Sequence, residues 1–155
     1  MQKEILGAES SPDADEHPGW LDLDALARVA LTSEDARHPI EAALGSAPSH
    51  GWRAAQPGEQ TIWISFHVAP RNRQVSLGFT TSESRTHEFV LSWSGDGGVS
   101  YREVVRQQFN FSAATSHEDE DYFPDLPAVT DLKLTIRPDL ADAGVHATLR
   151  HLRLR

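Results

Sequence analysis

The sequence predicts an all-β fold, an antiparallel β-sandwich or jelly roll. Three stretches, residues 61–66, 74–80 and 88–94, alternate apolar with polar side chains, which is the pattern of strands that bury one face. The run Gly95-Asp96-Gly97-Gly98 follows the third stretch and predicts a tight hairpin, because glycine adopts positive φ without steric cost. Regularly spaced strands, many glycine and proline turns and no convincing long helix favour a two-layer β architecture.

The N-terminal part of the chain leads into the predicted sandwich. Residues 1–19 are polar and acidic and are expected to form a flexible tail, which leaves residues 20–155 for the domain. In residues 20–31 a helical and a strand pattern compete, and we interpret them as an irregular lead-in followed by a first strand near 27–32. Residues 32–51 are rich in loop-forming residues, with a short helical turn expected at 40–44.

The C-terminal half supplies the remaining strands. Residues 101–107 and 131–137 alternate in the same way as the central stretches. Alternation over residues 145–149 resumes with a changed phase at 152–154. This change predicts a β-bulge near Arg150-His151, since one extra residue in a strand moves the following side chains to the other face.

A series of short motifs runs in a fixed order along residues 21–155. The motifs are Leu31-Thr32-Ser33-Glu34, Ala42-Ala43-Leu44-Gly45, Gly51-Trp52, Glu59-Gln60-Thr61-Ile62-Trp63-Ile64-Ser65-Phe66, Arg73-Gln74-Val75-Ser76-Leu77, Glu88-Phe89-Val90-Leu91-Ser92-Trp93-Ser94-Gly95-Asp96-Gly97 with Tyr101, and Thr148-Leu149-Arg150-His151-Leu152-Arg153-Leu154. In this order they resemble the discoidin domain, also called the coagulation-factor C-type or galactose-binding-like domain. The resemblance implies a jelly-roll sandwich of about eight strands. It also implies a binding module, and not an enzyme, whose loops at one end take up glycans, phospholipid or protein partners.

The same resemblance raises the question of a bound metal. Many discoidin domains hold a structural calcium near the turn that residues 42–45 occupy here, but Leu44 stands where the family has an aspartate. Calcium prefers six or more oxygen ligands, and Glu34, Asp35 and backbone carbonyls are the donors that remain. No metal or cofactor is therefore assigned. The acidic run 117–121 matches no EF-hand and is interpreted as a solvated loop.

Composition and charge exclude several classes of protein. The 155 residues carry a formal net charge of −9, which argues against general binding of nucleic acid or of anionic membrane surfaces. The chain has no cysteine, no apolar run long enough to cross a membrane and no apolar signal segment at its start. We therefore expect a cytoplasmic location, or secretion if a signal was removed. No nucleophile elbow, zinc-protease motif, P-loop or dinucleotide-binding fingerprint is present in the sequence.

Polar side chains on predicted loops and strand edges are the candidate ligand contacts. Arginine, histidine and amide groups are suitable hydrogen-bond partners for sugar hydroxyls and carboxylates. Arg37-His38 and Arg85-Thr86-His87 are interpreted as loop segments that precede strands. The predicted ligand-binding residues are Arg37, His38, Arg85, His87, Arg106, Gln108, Phe109 and Asn110. No catalytic residue is predicted.

The aromatic residues allow more than one interpretation. Trp52 and Trp93 are predicted to lie in the core, because Trp93 continues an apolar alternation and Trp52 matches a core position of the resembled family. Trp63 lies opposite the apolar face of its strand, where it packs against another layer or offers a platform to a sugar ring. The loop Phe109-Asn110-Phe111 is either a ligand edge or a plug for the end of the sandwich.

These observations support two functions of different classes. The first is a non-catalytic module that recognises a carbohydrate or a similar polar ligand through loops at one end of the sandwich. The alternative is a cytosolic protein–protein interaction or assembly module with the same fold and no sugar binding. An exposed aromatic beside arginine, histidine and asparagine at the loops would favour the first, and a flat apolar patch would favour the second.

Overall fold

The computed structural model describes residues 19–45 and 50–155, and within them the chain forms ten β-strands and two short helices. Most of the predicted acidic tail, residues 1–18, lies outside the described residues. The helices are α1 (Leu23–Leu26) and α2 (Glu41–Leu44). The strands are β1 (Ala27–Leu31), β2 (Trp52–Pro57), β3 (Gln60–Phe66), β4 (Val75–Thr80), β5 (Arg85–Ser94), β6 (Arg102–Phe111), β7 (His117–Tyr122), β8 (Asp131–Arg137), β9 (His146–Leu149) and β10 (His151–Leu154).

The strands form three antiparallel sheets. Five strands make the largest sheet in the order β1-β3-β8-β5-β6, three make a second sheet in the order β10-β4-β7, and β2 pairs with β9. Every pairing is antiparallel. The predicted antiparallel β-sandwich is therefore confirmed, with more strands than the resemblance implied.

The core lies between the five-stranded and the three-stranded sheet. On β5, Phe89 and Leu91 are fully buried and stand opposite Ile136 and Leu134 of β8. From the second sheet, Phe79 of β4 stacks on Phe89 with ring centroids 5.1 Å apart. The period-two alternation of the sequence thus marks the face of each strand that is removed from water.

Three tryptophans occupy three different environments. Trp52 is 1% exposed, and its Nε1 donates a 3.1 Å hydrogen bond to the backbone oxygen of Ser33, so its predicted core position is confirmed. Trp93 also faces inward, but it is only partly buried because it lies at the end of β5. Trp63 stands opposite Lys133 of β8 on the outer face of the sheet, and it therefore does not pack against the other layer.

The lead-in to the first strand contains a helical turn, where the sequence analysis expected irregular structure. α1 follows Asp22, whose carboxylate accepts a 3.4 Å hydrogen bond from the backbone N–H of Ala25. Aspartate is a favoured residue at this position because it satisfies a backbone donor that the helix leaves unpaired. The short turn expected at 40–44 is confirmed as α2.

The acidic run 117–121 is a strand, and its interpretation as a solvated loop is wrong. β7 pairs with β4 along its whole length, from Thr80 opposite His117 to Val75 opposite Tyr122. Glu118 is buried on the inward face. Acidic residues have weak strand propensity, but pairing with a neighbouring strand overrides it, and the sequence pattern did not reveal that pairing.

The change of phase near the C-terminus is a break between two strands, and the predicted β-bulge is wrong. β9 pairs with β2, whereas β10 pairs with β4 in another sheet. Arg150 lies between them and donates its backbone N–H to the oxygen of Gly78 at 2.8 Å. Because the two strands belong to different sheets, Leu149 and Leu152 are both fully buried despite the change of phase.

The predicted hairpin connects β5 and β6. Gly97 and Gly98 have φ values of 76° and 86°, a conformation that glycine adopts most readily. The carboxylate of Asp96 accepts hydrogen bonds from the hydroxyls of Ser100 and Ser94, at 2.5 and 2.6 Å. These bonds lower the pKa of Asp96 to about 2.

The strand directions give the sandwich two ends. The loop end carries the connections at residues 32–40, 58–59, 81–84, 112–116 and 138–145. The opposite end carries residues 67–74, 95–101 and 123–130. Neither helix of the described ranges is long and apolar enough to cross a membrane.

Candidate functional site

The eight predicted ligand residues separate into three groups in the structure. Two lie on a turn at the loop end, three face the interior, and three lie on the outer face of the five-stranded sheet. The turn carries Arg37 and His38, and the interior-facing residues are Arg85, His87 and Phe109. The residues on the outer face are Arg106, Gln108 and Asn110. The fold therefore does not gather them into one site.

Arg37 and His38 lie on a turn that is fixed to β2. The backbone N–H of Asp35 donates to the oxygen of Arg53 at 2.8 Å, and the N–H of Arg53 donates to the oxygen of His38 at 3.1 Å. The carboxylate of Asp35 accepts the backbone N–H of Arg37 at 2.8 Å, and this bond lowers the pKa of Asp35. The turn thus holds the exposed side chain of Arg37 at the loop end.

Arg85 and His87 belong to strand β5, and their predicted placement on a loop is wrong because the strand begins three residues earlier than expected. The guanidinium of Arg85 is buried, and it donates to the backbone oxygen of His146 at 3.1 Å and to Glu83 Oε2 at 2.8 Å. These bonds fasten the β4–β5 loop to β9. His87 is 3% exposed, with its ring centroid 4.4 Å from that of Phe79.

The segment Phe109-Asn110-Phe111 is the end of strand β6, and its predicted placement on a loop past the strand is wrong. Phe111 is buried, with ring centroids 4.7 Å from Phe109 and 5.5 Å from His87. Asn110 points to the outer face, where it accepts a 3.0 Å hydrogen bond from the hydroxyl of Thr86. This geometry agrees with the interpretation that the phenylalanine rings plug the end of the sandwich.

We expect Phe109→Ala to lower the free energy of unfolding by about 2–4 kcal/mol, because the change leaves a space beside Phe111 in the interior. Asn110→Ala is the matched control, since this exposed neighbour on the same strand should change stability by less than about 1 kcal/mol. Urea denaturation of both variants checks the prediction. A Phe109→Ala protein that unfolds like the parent would show that the ring does not plug the sandwich.

A buried acid and a buried base face each other between the two sheets. His87 Nε2 lies 4.0 Å from Glu118 Oε1, and neither atom has a hydrogen-bond partner among the described residues. Burial lowers the pKa of His87 to about 4 and raises that of Glu118 to about 7. Burial therefore favours the uncharged form of both groups.

A charged network lies on the outer face of the five-stranded sheet. Glu88 is only 7% exposed, and its carboxylate accepts hydrogen bonds from Gln108 Nε2 at 3.0 Å and Arg106 Nη1 at 3.3 Å. Arg106 Nη2 also lies 3.2 Å from Glu103 Oε1, and Arg137 Nη1 lies 3.9 Å from Glu88 Oε1. The carboxylate thus holds long, flexible side chains in defined positions on the surface.

Two cavities, each of about 450 Å³, adjoin this network. The sheet trough lies on the outer face of the sheet and is lined by Glu59, Glu88, Val90, Ser92, Tyr101, Glu103, Arg106, Lys133, Thr135 and Arg137. The loop-end cavity is lined by Gly58, Glu59, Arg137, Pro138, Asp139, Leu140, Ala141 and Ala143. Both volumes fall in the range of small-molecule binding sites.

Sequence reasoning identified only Arg106 among the residues that line the two cavities. It missed Glu59, Glu88, Lys133 and Arg137. The sequence does contain a signal for two of these residues, because Lys133 and Arg137 occupy the outward positions of a clearly alternating stretch. Alternation shows which residues point outward, but it does not show which strands are neighbours, and the trough depends on that order.

The residues near α2 do not fit a structural calcium ion. Glu34 Oε2 accepts the backbone N–H of Ile40 at 2.9 Å, and Asp35 Oδ1 accepts that of Arg37. Each of the two carboxylates therefore caps a local turn. Within residues 19–45 and 50–155, no group of three or more histidine, aspartate or glutamate side chains is arranged to hold a metal ion.

Solved structures with the same fold exist, although no protein-family model and no curated protein sequence matches the chain. The module CBM32-3 of a family 31 glycoside hydrolase from Clostridium perfringens is 17% identical, with a TM-score of 0.64 over 87% of this chain and 93% of that chain. The family 32 carbohydrate-binding module of C. perfringens NanJ, solved with galactose, is 14% identical, with a TM-score of 0.63 over 83% and 92%.

A third solved structure, the family 32 module of AlyQ in complex with 4,5-unsaturated mannuronic acid, is 20% identical. Its TM-score is 0.61, and the match covers 83% of this chain and 93% of that chain. At these identities the comparison establishes the fold alone. The chain has the discoidin-like, galactose-binding-like β-sandwich fold that its ordered motifs predicted.

Proposed function

We propose that the chain is a non-catalytic module that binds carbohydrate through the loop end of its sandwich. The observation that carries the proposal is the loop-end cavity of about 450 Å³, formed by the β2–β3 turn and the β8–β9 loop. Arg137, Glu59 and Asp139 line it, and such side chains exchange hydrogen bonds with sugar hydroxyls. Proteins of the same fold have been solved with galactose and with an unsaturated mannuronic acid, which supports a saccharide ligand.

The turn that carries Arg37 and His38 is the second part of the proposed loop-end surface. It lies along β2, and the cavity begins at the turn that follows β2. The hydroxyl of Ser33 accepts the backbone N–H groups of Ala55 and Gln56, both at 3.1 Å, so this segment is held rigidly against the strand. A rigid position favours binding, because little conformational entropy is lost when a ligand arrives.

The test is a glycan array of neutral and uronic-acid glycans, each printed as monosaccharide and as oligomers, probed with and without calcium. We expect specific binding that calcium does not change. Glu59→Ala, which removes a carboxylate from the lining of the loop-end cavity, should weaken it by about tenfold, a loss of roughly 1.4 kcal/mol. Arg37→Ala and His38→Ala test the turn beside β2 in the same way. Arg73→Ala and His67→Ala, at the opposite end of the sandwich, are the matched controls. Absence of binding to every glycan class, or equal loss in the controls, would overturn the proposal.

One observation favours the alternative of a protein-interaction or assembly module. Four large apolar side chains are exposed in the described residues, and all four lie at the end opposite the loop end. They are Leu26, Val68, Val99 and Phe123. Sedimentation of the parent and of a Val99→Ser, Phe123→Ser variant over a concentration series tests self-assembly. If the parent associates and the variant does not, the result would support self-assembly. A parent that remains monomeric at all concentrations would contradict self-assembly.

A further inference from the structure

The sheet trough exists because small residues stand in register across neighbouring strands. Thr61 of β3 lies opposite Thr135 of β8, and Thr135 lies opposite Val90 of β5. Arg106 of β6 follows next in the same row, opposite Val90. Small side chains make a floor and the long arginine makes a wall of the trough.

The walls of the trough are held in place before any ligand arrives. Arg106 is bound by Glu88 and Glu103, as described above. At the far end, Nζ of Lys133 lies 4.3 Å from the ring centroid of Tyr101, which is the distance of a cation–π contact. The trough thus presents both donors and acceptors, and this composition suits a polar ligand with many hydroxyl groups.

The trough adjoins the loop-end cavity. Glu59 and Arg137 line both of them, so a ligand that occupies both would contact these two side chains. Along β8, the four steps from Lys133 to Arg137 span about 13 Å at 3.3 Å per residue. The trough alone is thus longer than a single sugar ring, and the loop-end cavity extends it.

The charges of the trough favour a neutral ligand. Its lining contains three carboxylates, Glu59, Glu88 and Glu103, and three cations, Arg106, Lys133 and Arg137. The positive and negative charges balance, and Glu88 and Glu103 already bind Arg106. The balanced lining therefore has no excess positive charge to attract a sugar carboxylate, and the net charge of −9 disfavours an anionic ligand.

We propose that the sheet trough binds the further residues of a neutral oligosaccharide whose first sugar occupies the loop-end cavity. The inference rests on the proposed function and specifies it, because it assigns a second binding surface and a class of ligand. A chain held in both cavities dissociates more slowly than a single sugar, since both contacts must break together. Affinity should therefore rise with chain length for neutral glycans.

Titration calorimetry with neutral galacto-oligosaccharides, from monomer to pentamer, and with mannuronate oligomers of the same lengths tests this proposal. If the glycan array identifies another neutral sugar, its oligomers replace the galactose series. We expect about a tenfold gain in affinity from monomer to the longer neutral chains, and no such gain for the mannuronates. Thr135→Trp, which fills the trough, should abolish the gain and leave monomer affinity within about twofold of the parent.

Lys133→Ala is the second trough variant, because it removes one exposed side chain from the wall of the trough. Its result does not depend on whether the sheet accommodates the tryptophan ring of Thr135→Trp. It should reduce the gain with chain length by about threefold. Arg28→Trp and Arg28→Ala, on the outer face of edge strand β1, are the matched controls. They should behave like the parent.

The outcomes separate the two proposals. If neutral monomers bind but longer chains bind no better, or if Thr135→Trp keeps the gain with length, the trough is not a saccharide site and the loop-end proposal stands. A gain with length for mannuronates and not for neutral chains would overturn the neutral class. If the array and calorimetry show no saccharide binding at any length, both proposals fail together.

Discussion

We expect Trp52→Ala to lower the free energy of unfolding by about 3–5 kcal/mol, the range for removing a large buried aromatic side chain. Trp52 is the first residue of β2 and is 1% exposed. It stands opposite Leu149 of β9 in the two-stranded sheet. Its loss leaves a cavity and also leaves the backbone oxygen of Ser33 without the indole N–H that binds it. Chemical denaturation followed by circular dichroism measures the effect.

Two companion variants separate the contributions at this position. Trp52→Phe keeps most of the packing and removes the hydrogen bond to Ser33, which should cost roughly 1–3 kcal/mol. Trp93→Ala should cost less than Trp52→Ala, because Trp93 is only partly buried. If Trp93→Ala proved the more damaging of the two alanine variants, the placement of β2 against the core would be wrong.

Glu118→Gln changes how the stability of the protein depends on pH. The pKa of Glu118 is about 7 in the folded protein and 4.5 in an exposed chain, so the folded state retains a proton that the unfolded state has lost. Its contribution to stability is therefore present below pH 4.5 and is lost as the pH rises through 7. From pH 5 to pH 8, the variant should gain about 2–3 kcal/mol relative to the parent, at roughly 1.4 kcal/mol per pKa unit.

His87 acts in the opposite direction. Its folded pKa of about 4 lies below the ordinary value of 6.5, so its contribution to stability is present above pH 6.5 and is lost as the pH falls through 4. In the parent the two contributions partly cancel between pH 4.5 and 6.5. In the Glu118→Gln variant only the contribution of His87 to stability remains, so the free energy of unfolding should rise with pH between 4.5 and 6.5.

Urea denaturation of the parent and of Glu118→Gln at pH 5, 6.5 and 8 tests this dependence. Asp24→Asn is the matched control, because Asp24 is exposed and is not among the groups that shift the pKa of Glu118 or of His87. It should follow the parent at all three pH values. A constant difference between Glu118→Gln and the parent across the series would show that Glu118 is already ionised inside the fold.

The strands with clean alternation were predictable from the sequence. The central strands β3, β4, β5 and β8 follow the apolar pattern because each buries one face against the same core. β7 could not be recognised, since only its pairing with β4 makes a strand of the run HEDED. The end of β6 was misplaced for a related reason, because Phe109 and Phe111 both point inward beyond the expected strand end.

The candidate site was harder to predict than the fold. The sequence singled out Arg106 and Gln108 as candidate ligand contacts, and the structure places both on Glu88, about twenty residues away in the chain. The trough also requires β8, whose residues Lys133 and Arg137 become neighbours of β5 only through the sheet order. The site is formed by contacts between strands that are distant in the sequence. These contacts cannot be predicted from the sequence unless the order of the strands in the sheet is known.

The central claim is that saccharide binds at the loop end, and amide chemical-shift mapping of nitrogen-15-labelled protein tests it most directly. The titrants are galactose and the strongest neutral oligosaccharide from the array. We expect the largest shifts at residues 37–38, 58–59 and 138–145, with the oligosaccharide adding shifts along the trough. Shifts confined to residues 67–74, 95–101 and 123–130, or no shifts with either titrant, would contradict the claim.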